Sequence, residues 1–275
     1  MGRVLVALSA LLLTACVAPA AEPEAQPGTA HSSSPAPSRS TPTETPSPKL
    51  APPAVRLARA VTALRRSEPL EYQYILEDSH VPVIRSLGSW DPGAPSASLF
   101  VLISKRTALA ERLQGNLITI GDVWYGEVRN HCWIRLDRAD LARRYGLTEH
   151  TIGLTAAVAL TGAQVTGVSP GSRDVLEVSF ELGRVLAMAG VSDVDAGTRR
   201  VPGQVTVLDG RVTKWTVEGA DLAESLAGVV SPRRGQDLSL LALEMTYTHG
   251  PTDSIRRPPG DELEPNCRAR ENRPA

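Results

Sequence analysis

Cysteine is scarce in this chain, with three residues among 275. This scarcity excludes the small, cysteine-dense scaffolds whose folds depend on several disulfides. The chain also lacks any run approaching the ~20 consecutive apolar residues that a helix needs to cross a bilayer, which excludes a polytopic membrane protein. The formal net charge is −1 and implies no basic face of the kind that nucleic-acid-binding proteins carry. The length instead suits one large globular domain or two small ones.

The first sixteen residues have the pattern of a lipoprotein signal peptide. Arg3 provides a positive charge, a mostly apolar stretch follows at positions 4–13, and small residues precede Cys16. An apolar segment of this length is too short to span a bilayer and is typical of an export signal. The tetrapeptide Leu-Thr-Ala-Cys at positions 13–16 resembles the lipobox of bacterial lipoproteins. That resemblance implies cleavage of residues 1–15 and lipid attachment to Cys16. An ordinary secretory signal with an incidental cysteine is the alternative.

Residues 16–51 are the most compositionally biased segment. Ten of the 22 prolines fall between Pro19 and Pro53, together with many serines and threonines and almost no large apolar side chains. Such a composition buries too little apolar surface to offset the entropy of ordering the backbone, so we predict a disordered tether with polyproline-like character. A flexible coil of this length spans ~30–35 Å. The folded domain is predicted over residues 52–267, and residues 268–275 are predicted as a disordered tail.

Two cysteines remain besides Cys16. An exported protein meets an oxidising compartment, which favours pairing of Cys132 with Cys267 in a disulfide. Two free buried thiols are the alternative. The chain has no Cys-x-x-Cys motif and no histidine at ligand spacing from these cysteines, so a zinc or redox site is disfavoured. The bridge would hold the C-terminal residues against the strand predicted around Trp133.

Hydrophobic periodicity predicts one α+β domain. Residues 54–66 have apolar side chains at three- and four-residue steps among arginines, the pattern of an amphipathic helix. Asp137 and Gly146 are predicted caps of a second helix, and Asp209-Gly210 is the strongest hairpin signal. The order of elements, with mostly short connections, favours an antiparallel sheet with helices on one face. The remaining predicted helices are residues 137–145 and 151–161, and the predicted strands are residues 70–76, 81–90, 99–103, 117–120, 123–128, 131–136, 164–168, 175–182, 203–208, 211–217 and 238–247.

No pattern in the sequence supports catalysis or metal binding. Residues 167–171 match the Gly-x-Ser-x-Gly motif of α/β-hydrolases, but Pro170 follows the serine and has no N–H to donate to an oxyanion; a turn is favoured there. The five histidines include no i, i+4 pair, so metal ligation has no local support. Residues 193–197 are similar to the start of a calcium loop, but Gln204 stands where that loop needs a glutamate. We predict no catalytic residue, no metal site and no cofactor.

The order of these pieces resembles the actinobacterial lipoproteins of the LppX/LprG type, relatives of the LolA and LolB lipoprotein carriers. The resemblance spans about residues 52–267. It rests on the lipobox ending at Cys16, on the helix before Tyr72, and on segments at residues 120–125, 132–136, 205–212 and 258–263. It implies an α+β fold with a curved antiparallel half-barrel sheet and helices on its concave face. It also implies a hydrophobic cavity for acylated lipids or glycolipids, and no catalytic residues.

The leading hypothesis is therefore a non-enzymatic lipoprotein, anchored to the outer face of the cell membrane, that binds or carries acylated lipids or glycolipids. We expect no nucleic-acid partner, and the sequence identifies no protein partner. A ligand-free interaction or sensory module of the cell envelope is the alternative. Candidates for the cavity lining are apolar residues of the predicted sheet and helices, namely Ile118, Ile120, Trp124, Leu154, Val158, Trp215, Val217 and Leu241.

Overall fold

The structure is a computed structural model that describes residues 50–78, 81–94, 96–104, 113–129, 131–191, 194–226, 241–252 and 254–266. The predicted signal peptide, Cys16, most of the predicted tether, Cys267 and the predicted C-terminal tail lie outside the described residues. Lipid attachment and the disulfide accordingly stay predictions.

The described residues form five helices and eleven strands. The helices are α1 (Pro53–Arg65), α2 (Arg138–Tyr145), α3 (Ala156–Thr161), α4 (Leu182–Met188) and α5 (Gly219–Ser225). The strands are β1 (Leu70–Asp78), β2 (Val81–Asp91), β3 (Ser96–Ile103), β4 (Leu113–Ile120), β5 (Val123–Arg129), β6 (Cys132–Leu136), β7 (Gln164–Val168), β8 (Val175–Glu181), β9 (Arg200–Leu208), β10 (Arg211–Val217) and β11 (Leu241–Thr248).

All of these strands belong to one antiparallel sheet. Their order across the sheet is β6-β5-β4-β3-β2-β1-β11-β10-β9-β8-β7. Because β11 pairs with both β1 and β10, the last of the described strands joins the two halves of the sheet. Within the described residues β6 and β7 are the outermost strands and do not pair with each other, so the sheet is open. The predicted α+β class, built on a large antiparallel sheet with few helices, is confirmed.

One face of the sheet carries the main core. Along β1, Tyr72, Tyr74 and Leu76 are buried and the residues between them are less so, as the period-two alternation of a strand requires. Helix α1 packs over β10, β7 and β9, α5 packs over β9 and β11, and α3 and α4 pack over β8. The buried side chains of these helices and strands form one continuous hydrophobic cluster, whose burial is the main stabilising term.

Buried tyrosines form hydrogen bonds between this core and the segments that pack on it. The Tyr72 hydroxyl donates to the carbonyl oxygen of Ile152, and the Tyr74 hydroxyl donates to that of Met188, both at 2.8 Å. The Tyr247 hydroxyl accepts from the indole N–H of Trp215 at 3.3 Å. Burial raises the pKa of all three tyrosines, because a phenolate in the core would lose its hydration.

Alkaline pH is expected to unfold the domain cooperatively through these tyrosines. Each has a raised pKa in the folded chain, whereas a tyrosine in the unfolded chain ionises near pH 10. The stability from keeping each phenol neutral is therefore complete below pH ~10 and decreases above it, by up to ~1.4 kcal/mol per pH unit for each tyrosine. Tyrosinate absorbance should rise in the same transition in which near-ultraviolet circular dichroism is lost. Ionisation of all three near pH 10 in a domain that stays folded would contradict this expectation.

The predicted ends of two elements are confirmed. The Asp137 carboxylate caps α2 by accepting from the backbone N–H of Asp140 at 3.0 Å. Gly146 ends that helix in the left-handed region, with φ +63°. Asp209 and Gly210, with φ +49° and +75°, form the tight turn between β9 and β10.

Other predicted boundaries are wrong. The helix predicted over residues 151–161 has only its second half, α3. Gly153, with φ +82°, approaches Tyr74 so closely that an added Cβ would lie 2.8 Å from the Tyr74 Cβ, and this approach keeps the preceding turn irregular. The strand predicted to end at Leu182 ends at Glu181, because Leu182 begins α4. The short helices α4 and α5 were not predicted.

Residues 249–252 and 254–266, here called the C-terminal segment, lie against the other face and the β6 edge of the sheet. The Arg257 guanidinium lies over the ring of Tyr125, 5.7 Å from its centroid. Tyr125 is buried but does not belong to the main core. Further along, Leu263 forms a parallel bridge with Trp133. The C-terminal segment thus covers part of an edge strand whose backbone groups would otherwise be open to pairing.

Candidate functional site

The helices cover the two halves of the sheet unequally. Of the five described helices, α1, α3, α4 and α5 pack on strands β7 to β11. The half formed by β3 to β6 is faced by α2, which contributes Leu141 and Tyr145 to a cavity that these strands also line. Because α2 is short and this half of the sheet is wide, the helix does not contact the sheet over the whole face.

The resulting cavity is apolar and has a volume of about 220 Å³. This is the volume of roughly seven molecules of liquid water and lies below the ~300–1,000 Å³ of pockets for drug-sized ligands. It therefore suits a segment of one acyl chain. The lining consists of Val101, Leu113, Leu117, Val128, Leu136, Leu141, Tyr145 and Leu147, with Gly115, Gly126 and the polar Gln114, Asn116 and Glu127.

Gly115 leaves space on the strand side of this cavity. It lies opposite Val101 in the pairing of β3 with β4, and Val101 is a core residue. A Cβ atom added to Gly115 would meet no heavy atom within 4 Å. At Gly126 the same atom would lie 2.8 Å from the side chain of Leu136. Gly126 therefore makes room for a leucine, whereas Gly115 borders open space.

Glu127 gives the rim of the cavity a negative charge. Its carboxylate accepts from the side-chain amide of Asn116 and from the backbone N–H of His131 at 2.8 Å. The Asn116 hydrogen bond lowers the pKa of Glu127, partial burial opposes this change, and His131 adds to the lowering. The carboxylate is consequently ionised at neutral pH, and the rim is polar where the interior is apolar.

Three buried polar atoms on β2, β4 and β5 have no hydrogen-bond partner within the described residues. They are Ser86 Oγ, Thr119 Oγ1 and Trp124 Nε1. Ser86 lies opposite Val101 of the cavity lining, and Thr119 lies opposite Trp124. Few buried polar groups in native proteins stay unpaired, so a bound hydroxyl or ester group that reached them would be stabilised.

A larger cleft of about 820 Å³ lies between α1, α3 and β7. Its lining mixes Val61 and Leu160 with Arg65, Arg66 and Gln164. The two arginines and the glutamine make the wall of this cleft more polar than that of the cavity beneath α2, so an acyl chain would bury less apolar surface there. The smaller cavity beneath α2 is therefore the better site for an acyl chain.

Five of the eight predicted cavity residues pack in or against the main core. Leu154 is partly buried against it. The other four residues are at most 2% exposed; they are Trp124, Trp215, Val217 and Leu241. Side chains buried to this extent contact one another, and none of these five lines either of the two cavities described above.

The other three predicted residues lie elsewhere. Ile118 is buried and Ile120 is half-buried. Both lie on the face of β4 opposite to Leu117, which belongs to the main core. Val158 is 52% exposed on α3. These three also line neither of the two cavities, so the ligand contacts assigned to all eight residues stay predictions.

The residues that do line the apolar cavity were not among the predicted ones. A signal for them was present in the sequence. Leu113, Gly115 and Leu117 are at alternate positions and so lie on one face of β4. The glycine in the middle marks a position on that face without a packing side chain. The predicted strand began only at Leu117 and left Gly115 out. Leu141 and Tyr145 are four residues apart and so lie on one side of α2.

Residues 167–171 form the end of β7 and a turn. The backbone N–H of Ser172 donates to the carbonyl oxygen of Ser169 at 3.2 Å, and Gly171 has φ +85°. Within the described ranges, no group of three or more histidine, cysteine, aspartate or glutamate side chains is placed to hold a metal ion. In the same part of the chain, no helix has the length and apolar character needed to cross a membrane.

No protein-family model matches the sequence, and no curated protein matches it either. Among solved structures, the chain is similar to LprF from Mycobacterium bovis, with 10% sequence identity and a TM-score of 0.46. The similarity covers 75% of this chain and 97% of the LprF chain.

Proposed function

We propose that this chain is a lipoprotein of the cell envelope, acylated at Cys16, whose folded domain binds the acyl chain of a lipid or glycolipid. Acylation would hold the chain on the outer face of the cell membrane, because two or three acyl chains anchor a protein stably where one is marginal. The signal-peptide pattern supports the anchor, and the cavity beneath α2 supports the binding. The proposed activity is binding or carriage, without catalysis.

The cavity beside Gly115 is the observation that carries this proposal. Its interior is lined by aliphatic side chains, and the one charged lining residue, Glu127, lies at the rim. Each methylene transferred from water into such a site contributes ~0.8 kcal/mol. Burial of four or five methylenes would therefore contribute ~3–4 kcal/mol, enough to retain one end of an acyl chain.

The polar groups around the cavity favour an acylated glycolipid. An ionised Glu127 at the rim disfavours an anionic headgroup, whereas its carboxylate can accept hydrogen bonds from sugar hydroxyls. Ser86 and Thr119 are buried and do not line the cavity, so this preference rests on Glu127. A plain hydrocarbon would offer that carboxylate no hydrogen bond.

Displacement of a fluorescent acyl probe tests the binding activity. The full acylated chain in detergent micelles should bind the probe, and a diacylated neutral glycolipid should displace it. The deacylated sugar headgroup of that glycolipid is the matched competitor and should not displace the probe. Failure of the probe to bind, or equal displacement by both competitors, would contradict the proposal.

The substitution Cys16→Ser is expected to release the chain from the membrane. It removes the thiol that would carry the diacylglycerol, and the net charge of −1 gives no overall electrostatic attraction to an anionic surface. Fractionation of cells that express either chain should find the wild type with membranes and the variant in the medium. Continued membrane retention of the variant, at wild-type levels, would count against acylation as the anchor.

We also propose a disulfide between Cys132 and Cys267. Cys132 is 3% exposed, and its neighbour Trp133 is bridged to Leu263, four residues before Cys267. Closing a loop of about 135 residues stabilises a fold by ~4–5 kcal/mol in the chain-entropy model. Alkylation of the exported chain without reductant should label neither residue, and alkylation after reduction should label both. Two alkylatable thiols in the unreduced chain would rule the bridge out.

The packing of the rest of the core favours a second candidate, an interaction or sensory module of the cell envelope that binds no lipid. Tyr74, Phe180 and Trp215 are at most 1% exposed, and the rings of Phe180 and Trp215 are 5.1 Å apart. A core at this density holds its own side chains and not a ligand. The acyl-probe experiment separates the two candidates.

A further inference from the structure

The outward side of α1 carries unpaired positive charge. Arg59, Arg65 and Arg66 are exposed, and no acidic residue occurs between Pro53 and Arg66. Within the described residues none of these three arginines has an ion pair. Arg56, in contrast, pairs with Asp174 at 3.4 Å. The local charge on this helix is therefore positive although the whole chain is nearly neutral.

Within the described structure, no acidic side chain near this helix pairs with Arg59, Arg65 or Arg66. Glu68, the first acidic residue after α1, shares a surface hollow with Arg211 and His249. Glu181, on the neighbouring β8, pairs with Arg184. The positive charge of Arg59, Arg65 and Arg66 is thus left facing solvent.

Exposed apolar side chains lie on α1 and on the elements beside it. Helix α1 packs beside α3 and β7, and Leu50 shares a hollow with Val168 and the start of α1. Four of the seven large hydrophobic side chains that are exposed in the described chain lie in this region. Together with the arginines they define what we call the α1 face, namely Leu50, Val55, Arg59, Arg65, Arg66, Val158 and Val168.

We propose that the α1 face docks on the anionic phospholipid leaflet that holds the acylated Cys16. This inference rests on the acylation at Cys16 in the proposed function. The chain that leads to Cys16 leaves the described domain at Leu50, which belongs to this face. Arginines around exposed aliphatic side chains match the chemistry of an anionic interface, where the charges meet phosphate and the aliphatic groups enter the headgroup boundary.

Because the tether holds the domain near the membrane, a face with low intrinsic affinity for lipid is sufficient for docking. Each arginine near an anionic leaflet favours docking by about fivefold, so three of them contribute about a hundredfold. The anchor also keeps the domain near the same leaflet, which raises the effective concentration of the α1 face at that surface. The anchored domain therefore does not have to find the membrane from solution. Docking would turn the cleft between α1, α3 and β7 toward the lipid.

Photo-crosslinking to lipids tests this orientation. The full acylated chain is reconstituted in vesicles of phosphatidylcholine alone or of equal parts phosphatidylcholine and phosphatidylglycerol, each with a trace of phospholipid that carries a diazirine on its acyl chain. After illumination, mass spectrometry locates the lipid adducts. We expect at least tenfold more adducts on peptides from α1, α3 and β7 than on peptides covering residues 81–94, which line neither this face nor the cavity beneath α2, and we expect this excess only with phosphatidylglycerol.

Two triple variants with the same loss of charge control the experiment. The variant R59Q/R65Q/R66Q should lose the excess of adducts at least tenfold, whereas R85Q/R135Q/R143Q, which neutralises three exposed arginines elsewhere, should keep it. Equal labelling of both peptide groups, labelling unchanged in R59Q/R65Q/R66Q, or absence of labelling would overturn the docking. Intact mass before reconstitution reports acylation. An unacylated chain would overturn the anchor and the docking together, while an acylated chain without adducts on the α1 face would overturn the docking alone.

Discussion

The substitution Gly115→Leu is expected to abolish lipid binding while it raises the free energy of unfolding. A side chain at this position would extend into the cavity, because no heavy atom lies within 4 Å of the added Cβ. Leucine would occupy much of the 220 Å³ that the acyl segment needs. Burying its apolar surface would contribute about 1–2 kcal/mol of stability. Loss of binding together with increased stability distinguishes a filled cavity from a damaged fold.

The matched control is Gly115→Ala, which adds one methyl group at the same site. It should weaken binding of the acyl probe by much less than leucine does. Both variants are measured by probe titration and by denaturant unfolding of the full acylated chain. If Gly115→Leu binds the probe with wild-type affinity, the cavity beneath α2 is not the binding site.

The substitution Gly88→Ala is expected to prevent folding of the domain. Gly88 has φ +146°, a conformation that is essentially restricted to glycine. A Cβ atom there would lie 2.2 Å from the backbone carbonyl oxygen of Ser98 on the adjacent strand. The strand cannot move aside, because Gly88 lies between Tyr72 on β1 and Leu99 on β3. We expect a loss of more than ~4 kcal/mol, which is exceptional for a single methyl group.

Gly115→Ala is again the informative comparison. It is the same substitution on the same sheet, but its Cβ has open space and its φ lies outside the left-handed region. An alanine whose conformation is compatible stabilises a fold by ~0.4–1 kcal/mol, mainly by reducing the entropy of the unfolded chain. Circular dichroism and denaturant unfolding of the two purified chains give the comparison. Similar stability of the two variants would contradict the geometry around Gly88.

Local signals predicted much of the fold. The pattern of α1, the capping of α2 by Asp137, and the turn at Asp209-Gly210 each depend on residues that are close in the sequence. Leu182 shows where such signals fail. Its segment is as aliphatic as the strand before it, and only packing over β8 distinguishes α4 from a continued strand. The turn at Gly153 likewise depends on Tyr74, which is remote in sequence.

The candidate site was less predictable for the same reason. A cavity exists where covering elements are absent, and the unequal distribution of helices over the sheet is a tertiary property. The large apolar side chains that the sequence suggested as cavity residues, Trp215 and Trp124 among them, have enough surface to fill the space around them and so pack in the core. Gly115 marks the cavity because it has no side chain, and a scan for apolar residues passes over it.

The lipid content of the purified chain tests the central claim most directly. The acylated chain is expressed in an actinobacterial host, purified in detergent and extracted with organic solvent, and mass spectrometry then quantifies the lipid that is not covalently attached. We predict close to one acylated lipid or glycolipid per wild-type chain and a background level in Gly115→Leu. An equal lipid content in the two chains, or none above background in the wild type, would contradict a cavity shaped for an acyl chain.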